Sequence, residues 1–305
     1  MSESFPFPAY PRTPYPPLVV NAALTGMVAQ REQVPYVPLT ASEIVRDAER
    51  CFDAGATIVH LHARDDQGRP QWRRDAYADL IPEIRRRCPG VVVCVTTSGR
   101  AVVDVDRRAD VLRLEGEARP DMASLTLGSL NFHSGPSVNA IETIEALASR
   151  MAQLGIRPEL ELFDLGMAQL AHRLLARGLV APPLYANLML GFPNSAPADA
   201  RSLVALAGAL PAGTAWAAAG MGAFQAPANA LAVAIGGHVR TGLEDNPWLD
   251  ADGREPATNE RLVARSVAMA AAVGRPVATP DQARSILGLP CRPSAASAHA
   301  VGAAR

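Results

Sequence analysis

Residues 56–62 read Ala-Thr-Ile-Val-His60-Leu61-His62, an apolar run that finishes with two histidines one residue apart. On a strand, side chains two apart project from the same face, so both imidazoles can reach one metal ion. Neutral imidazole suits zinc, and His-x-His at a strand end can form half of a three-ligand catalytic site. On these residues alone, two histidines hydrogen-bonded in a polar rim fit equally well. A second cluster, Arg240-Thr-Gly-Leu-Glu244-Asp245-Asn246, follows the apolar stretch 228–235 and reads as another strand end. With both clusters at one barrel mouth, Glu244 is a better third ligand than His133, His172, His238 or His299. A carboxylate beside two imidazoles leaves zinc a vacant position for substrate or water.

The pattern around these clusters alternates strand and helix. Short apolar runs at 18–24, 56–62, 91–97, 122–127, 159–163, 184–190, 214–219 and 238–243 read as buried parallel strands. Helices are expected at 41–54, opened by the capping box Thr40-Ala-Ser-Glu43, and at 77–87, 137–154, 167–177, 199–209, 226–235 and 259–273. A short helix capped by Thr279 carries Pro280 at its first position. Only the link after the third strand lacks a clear pattern. Eight such units predict an α/β protein with a (β/α)8 TIM barrel, and the absence of G-x-G-x-x-G after the first strand disfavours a doubly wound sheet. The expected organisation is a Pro-rich arm at 1–16, one barrel domain with a C-terminal helix at 17–289, and a flexible tail at 290–305.

Composition narrows the chemistry. All 29 basic residues are arginines, which excludes Schiff-base aldolases, pyridoxal-phosphate enzymes and lysine-dependent phosphate loops. Carbon–carbon chemistry here needs another electrophile, and a metal supplies one. A net charge of −1 with 5% aromatics argues against a nucleic-acid partner. The four cysteines show no C-x-x-C spacing, and the N-terminal residues show no secretory pattern, so a reduced cytoplasmic protein is expected. The uncharged stretch 202–239 is broken by Pro211, Pro227 and several glycines, which disfavours a membrane span.

Barrel enzymes work at the C-terminal ends of their strands, where further polar residues gather. Thr96 and Thr97 end the third strand, Ser124 and Thr126 share a face of the fourth, and Glu159 and Glu161 share one on the fifth. Each has a structural alternative: hydroxyls capping turns, the glutamates paired with barrel arginines, and Asp245-Asn246 forming an Asx turn before Pro247.

Taken together, Asn21-Ala-Ala-Leu-Thr25-Gly26, Ala54-Gly-Ala-x-x-Val-His60-Leu-His62-x-Arg64-Asp65, Pro120-Asp-Met-Ala-Ser124, Pro158-Glu-Leu-Glu161-x-Phe-Asp164 and Gly236-Gly-His-Val-Arg240-x-Gly-Leu-Glu244-Asp245-Asn246 resemble the β-keto acid cleavage enzymes, over nearly the whole chain. The 3-keto-5-aminohexanoate cleavage enzymes are that family's best-known members. The resemblance implies a (β/α)8 homo-oligomer, with a tetramer favoured, holding Zn2+ or a similar divalent ion through His60, His62 and Glu244. It implies acetyl-CoA as co-substrate: the acetyl group passes to a β-keto acid, and a retro-Claisen step releases acetoacetate and a new acyl-CoA. It assigns deprotonation of the keto acid to Asp245 and Arg240, makes Glu161 a third catalytic residue lining the substrate site, and gives substrate binding to the hydroxyls of Thr96, Thr97, Ser124 and Thr126. Two loops depart from the family pattern. Thr96-Thr97-Ser98-Gly99-Arg100 stands where Thr-Thr-Gly-Gly is common, and Leu190-Gly-Phe-Pro-Asn194 is unusual after the sixth strand. Both are expected to shape the pocket around the distal part of the substrate. The rival readings are a metal-dependent hydrolase and a non-enzymatic barrel that binds CoA esters or metabolites.

Overall fold

The structure, a computed structural model, describes residues 15–132 and 135–292. Eight parallel strands close into a barrel: β1 (Val20–Ala23), β2 (Ile58–Leu61), β3 (Val92–Val95), β4 (Met122–Thr126), β5 (Arg157–Leu162), β6 (Tyr185–Leu190), β7 (Ala215–Gly220) and β8 (His238–Thr241). They pair in chain order, and β8 returns to β1 through Asn21 opposite Arg240. The (β/α)8 fold read from the sequence is therefore the one observed.

Strand parity determines what each side chain meets. Val59, Leu61, Val93, Val95, Leu160 and Leu162 face outward into the large apolar cluster under the helices. The opposite parity begins at the bottom of the barrel with Val19, Ile58, Val92, Cys94, Met122 and Tyr185, which pack with Ala283 and Leu287 of the C-terminal helix Pro280–Ile286. One pleat higher, the same parity carries Asn21, His60, Ser124, Glu159 and Arg240, all buried. The interior thus changes from apolar at the floor to charged near the mouth.

Helix α1 (Ala41–Asp53) opens with the expected capping box, Thr40 accepting from the Glu43 amide while the Glu43 carboxylate accepts from the Thr40 amide. Two helix expectations need correction, and the structure fills in the link that had no clear pattern. The helix expected at 77–87 is two pieces, Asp75–Ala78 and Leu80–Arg87. No full helix follows β3; a single turn, Val105–Arg108, and two 3-10 turns make the crossover. The helix expected from 137 starts at Ile141, because Leu130–Phe132 pairs antiparallel with Gly135–Ser137 just before it. Pro136 has no amide hydrogen, and Asn139 ties the approach to the loop by donating to Gly128 O and to Ser129 Oγ. The arm at 1–16 and the tail at 290–305 fall largely outside the described residues, as do His133 and His299. No described helix is long and apolar enough to cross a membrane.

Candidate active site

His60 lies in β2, and His62 stands one residue beyond its end. Their Nε2 atoms face each other at 3.2 Å. Glu244 completes a triangle: Oε1 is 3.3 Å from His62 Nε2, and Oε2 is 3.8 Å from His60 Nε2. Ligands about 2.0–2.1 Å from a tetrahedral zinc stand roughly 3.3 Å from one another, so the donor spacing fits a metal before any rearrangement. The buried Glu244 Oε2 has no hydrogen-bond partner, an expensive state for a carboxylate oxygen that a cation would relieve.

Glu244 lies beyond the end of the strand, not on it. β8 ends at Thr241, and the chain turns at Gly242, where a Cβ would lie 2.1 Å from the Ala23 carbonyl oxygen. Only glycine allows that approach. The turn brings the Glu244 amide to Ala23 O and its side chain against Gly26, whose φ is +65° and whose Cβ would stand 2.7 Å from Glu244 Cγ. Arg64 staples the neighbouring loop by donating to Gly26 O and Gly68 O, so this motif arginine is structural.

Arg240 is the hub of the charge network. Its Nη2 is 2.8 Å from Glu244 Oε1 and its Nε 2.9 Å from Asp245 Oδ2, while Nη1 stands 3.5 Å from Glu161 and 3.9 Å from Glu159. Glu244 and Asp245, adjacent in sequence, therefore converge on one guanidinium from different sides. One buried cation among four carboxylates leaves a negative excess that favours a further positive charge. Burial opposes ionisation of Glu159, yet the charges of His60 and Arg240 hold its carboxyl down at about 2. Burial pushes His60 down, but Glu159 and Glu244 outweigh it and raise it; burial dominates at His62, which stays neutral more readily. Burial also pushes Asp245 and Glu161 up against the pull of Arg240.

Glu159 was noted in the sequence but given no role. Its Oε2 lies 2.7 Å from His60 Nδ1, its Oε1 accepts from Asn21 Nδ2 at 2.6 Å, and Cys94 Sγ donates to it at 3.3 Å. A carboxylate that accepts a hydrogen bond from Nδ1–H fixes the tautomer in which Nε2 offers its lone pair. The clue in the sequence was parity: Glu159 is one pleat below Glu161, facing the same interior.

Thr96, Ser124, Thr126 and Glu161 line the same cavity of about 690 Å3 as His60, His62, Arg240, Glu244 and Asp245. That volume is ordinary for a small-molecule site. Thr126 Oγ1 donates to Glu161 Oε2 at 2.7 Å. Thr97 does not reach this cavity; its hydroxyl donates to Ser124 O, and it borders a small side pocket. His238 sits at the opposite end of its strand, where Nδ1 accepts from the Val19 amide, and His172 lies on a helix beside Ala209 O. Sequence reasoning did not foresee the contribution of Phe132, Phe163 and Met189 to this cavity; the two departing loops, expected to shape the pocket, add Ser98, Arg100 and Phe192 to its lining.

A closed barrel with its polar groups gathered at the C-terminal strand ends is the architecture of a (β/α)8 enzyme. The family model for beta-keto acid cleavage enzymes matches residues 17–289, and the chain belongs to that family. It is 38% identical over 274 residues to the 3-keto-5-aminohexanoate cleavage enzyme of Fusobacterium nucleatum, covering 89% of this chain and 98% of the relative. It is 38% identical over 278 residues to the 3-oxoadipate:acetyl-CoA acetyltransferase of Cupriavidus necator, covering 90% and 95%. Among solved structures, apo ObcA superposes with a TM-score of 0.73 at 21% identity over 84% of this chain and 66% of ObcA, a likeness of fold.

Proposed function

We propose that this chain is a divalent-metal enzyme, with zinc the best fit, that joins a β-keto acid to acetyl-CoA and releases acetoacetate and a new acyl-CoA. The observation that carries the proposal is the convergence of His60 Nε2, His62 Nε2 and Glu244 in the cavity that also holds the Arg240–Asp245 pair. The names of the relatives supply the acetyl-CoA dependence.

His60, His62 and Glu244 would hold the metal, which when bound polarises the keto acid oxygens and stabilises enolate charge without a lysine. Asp245 takes the proton from the carbon between keto group and carboxylate. Arg240 holds the Asp245 carboxylate in place through Nε and Nη2; its buried Nη1 has no hydrogen-bond partner and is available to a substrate oxygen. The carbanion attacks the thioester carbon of acetyl-CoA and expels the CoA thiolate. The thiolate then attacks the original keto carbon, and cleavage to the neighbouring carbon gives acyl-CoA and the acetoacetate carbanion. Protonated Asp245 returns its proton to that carbanion, so the enzyme ends as it began.

A two-metal hydrolase is less well supported. Among the described residues a second donor group, His60, Cys94 and Glu159, shares His60 with the first, and its members already bond one another. The test is incubation with acetyl-CoA and a panel of β-keto acids, following acetoacetate and CoA esters. Equal production of both, abolished by a chelator and restored by zinc, is expected; cleavage at full rate without a CoA thioester contradicts the proposal.

A further inference from the structure

We infer that the distal group of the substrate, the part beyond its keto carbon, is uncharged and apolar, and that Phe132, Phe163, Phe192 and Met189 select it. The inference rests on the β-keto acid reading and adds the chemical class of the variable end. The barrel order places β4, β5 and β6 across the mouth from β8, β1 and β2, which carry the metal-type donors and the Gly26 and Gly242 turns. Phe132 follows β4, Phe163 follows β5, and Phe192 follows β6, so the aromatic wall faces those donors across one cavity. A keto acid with its head between His60, His62 and Arg240 has this wall on the far side of the same cavity to receive its other end.

The wall is built before any ligand arrives. The three ring centroids are 5.1 to 5.7 Å apart with interplanar angles of 68° to 88°, so each ring is set edge-to-face by the other two. Met189, buried and of inward parity, lines the same side. The carboxylate on that side, Glu161, is engaged by Thr126 and stands near Arg240, which leaves an ammonium group poorly served. Arg100 lays its guanidinium 3.9 Å from the Phe132 centroid, at the margin of the wall. An ion carried onto the rings loses hydration worth more than a cation–π contact returns, whereas each methylene buried there returns about fourfold in binding.

The test uses two pairs matched in shape. One is 5-methyl-3-oxohexanoate against 5-amino-3-oxohexanoate; the other is 6-methyl-3-oxoheptanoate against 3-oxoadipate, which asks whether Arg100 recruits an anion. With metal-loaded enzyme and acetyl-CoA, kcat/KM for each apolar member is expected to exceed that of its charged partner by about tenfold or more. Phe192→Ala should reduce that ratio severalfold while Phe192→Leu preserves it, with metal content checked in both. A charged member preferred over its apolar partner overturns the inference, as does a ratio unmoved in folded Phe192→Ala. Silence across all four substrates sinks the β-keto acid reading, and this inference with it.

Discussion

Replacing Glu159 by Gln separates the charge of this buried carboxylate from its shape. Glu159 offers acceptor oxygens to three donors, His60 Nδ1 at 2.7 Å, Asn21 Nδ2 at 2.6 Å and Cys94 Sγ at 3.3 Å. Gln offers one oxygen and one amide nitrogen, so at least one of those donors loses its acceptor. A hydrogen bond to a charged acceptor contributes about 1.5–3 kcal/mol against about 1 kcal/mol for a neutral one. The difference at His60, about 0.5–2 kcal/mol, corresponds to roughly 2- to 30-fold in an equilibrium constant. That agrees with the loss of about 10- to 100-fold in metal affinity seen when partners of ligating histidines are removed. Apo protein titrated with zinc against a competing chelator should therefore give a Kd about tenfold higher than wild type. A thermal melt should also fall, because the stranded donor costs about 1–3 kcal/mol. Unchanged zinc affinity in a folded variant would refute the assignment of Glu159 as the group that orients His60.

Other outcomes follow from the same geometry. Asp245→Asn should keep its metal and bind keto acid while losing about 100- to 10,000-fold in turnover, whereas Glu244→Gln should lose metal; metal analysis beside turnover separates the two. Asp121 is held by Arg85 and the fully buried Arg284 at 3.0 and 2.7 Å, and although burial opposes ionisation, those charges keep its carboxyl below the ordinary value of 3.8. Its contribution is thus present above the unfolded-state pKa and lost as pH falls through the folded one, so Asp121→Asn should cost about 3–5 kcal/mol at neutral pH and less in acid, read by denaturant titration at both. Thr40→Ala removes the α1 cap and should cost about 1 kcal/mol in the same assay.

Much of the architecture was legible because periodicity records burial. Strands buried on both faces read as short apolar runs, and the Thr40/Glu43 and Thr279 caps marked where helices begin. The connections were less legible. The turns after β3 and the pairing of Leu130–Phe132 with Gly135–Ser137 depend on side-chain bonds such as Arg108 to Thr97 O and Asn139 to Gly128 O, which no local pattern encodes. At the site, the spacing of His60 and His62 placed two rings on one face, but Glu244 arrives through a glycine turn and not along a strand. Glu159 and the aromatic wall needed the barrel's registry, which sets Ser124 beside Glu159 and Glu159 beside Tyr185.

The central claim is that the acetyl group of acetyl-CoA becomes the outer half of acetoacetate. Acetyl-CoA labelled with 13C at its carbonyl, incubated with metal-loaded enzyme and an unlabelled β-keto acid, tests this by NMR. The account predicts label at the keto carbon of acetoacetate and none in the new acyl-CoA, with one acetoacetate formed per keto acid consumed. Label recovered only in acetyl-CoA or free acetate while the keto acid disappears would contradict it.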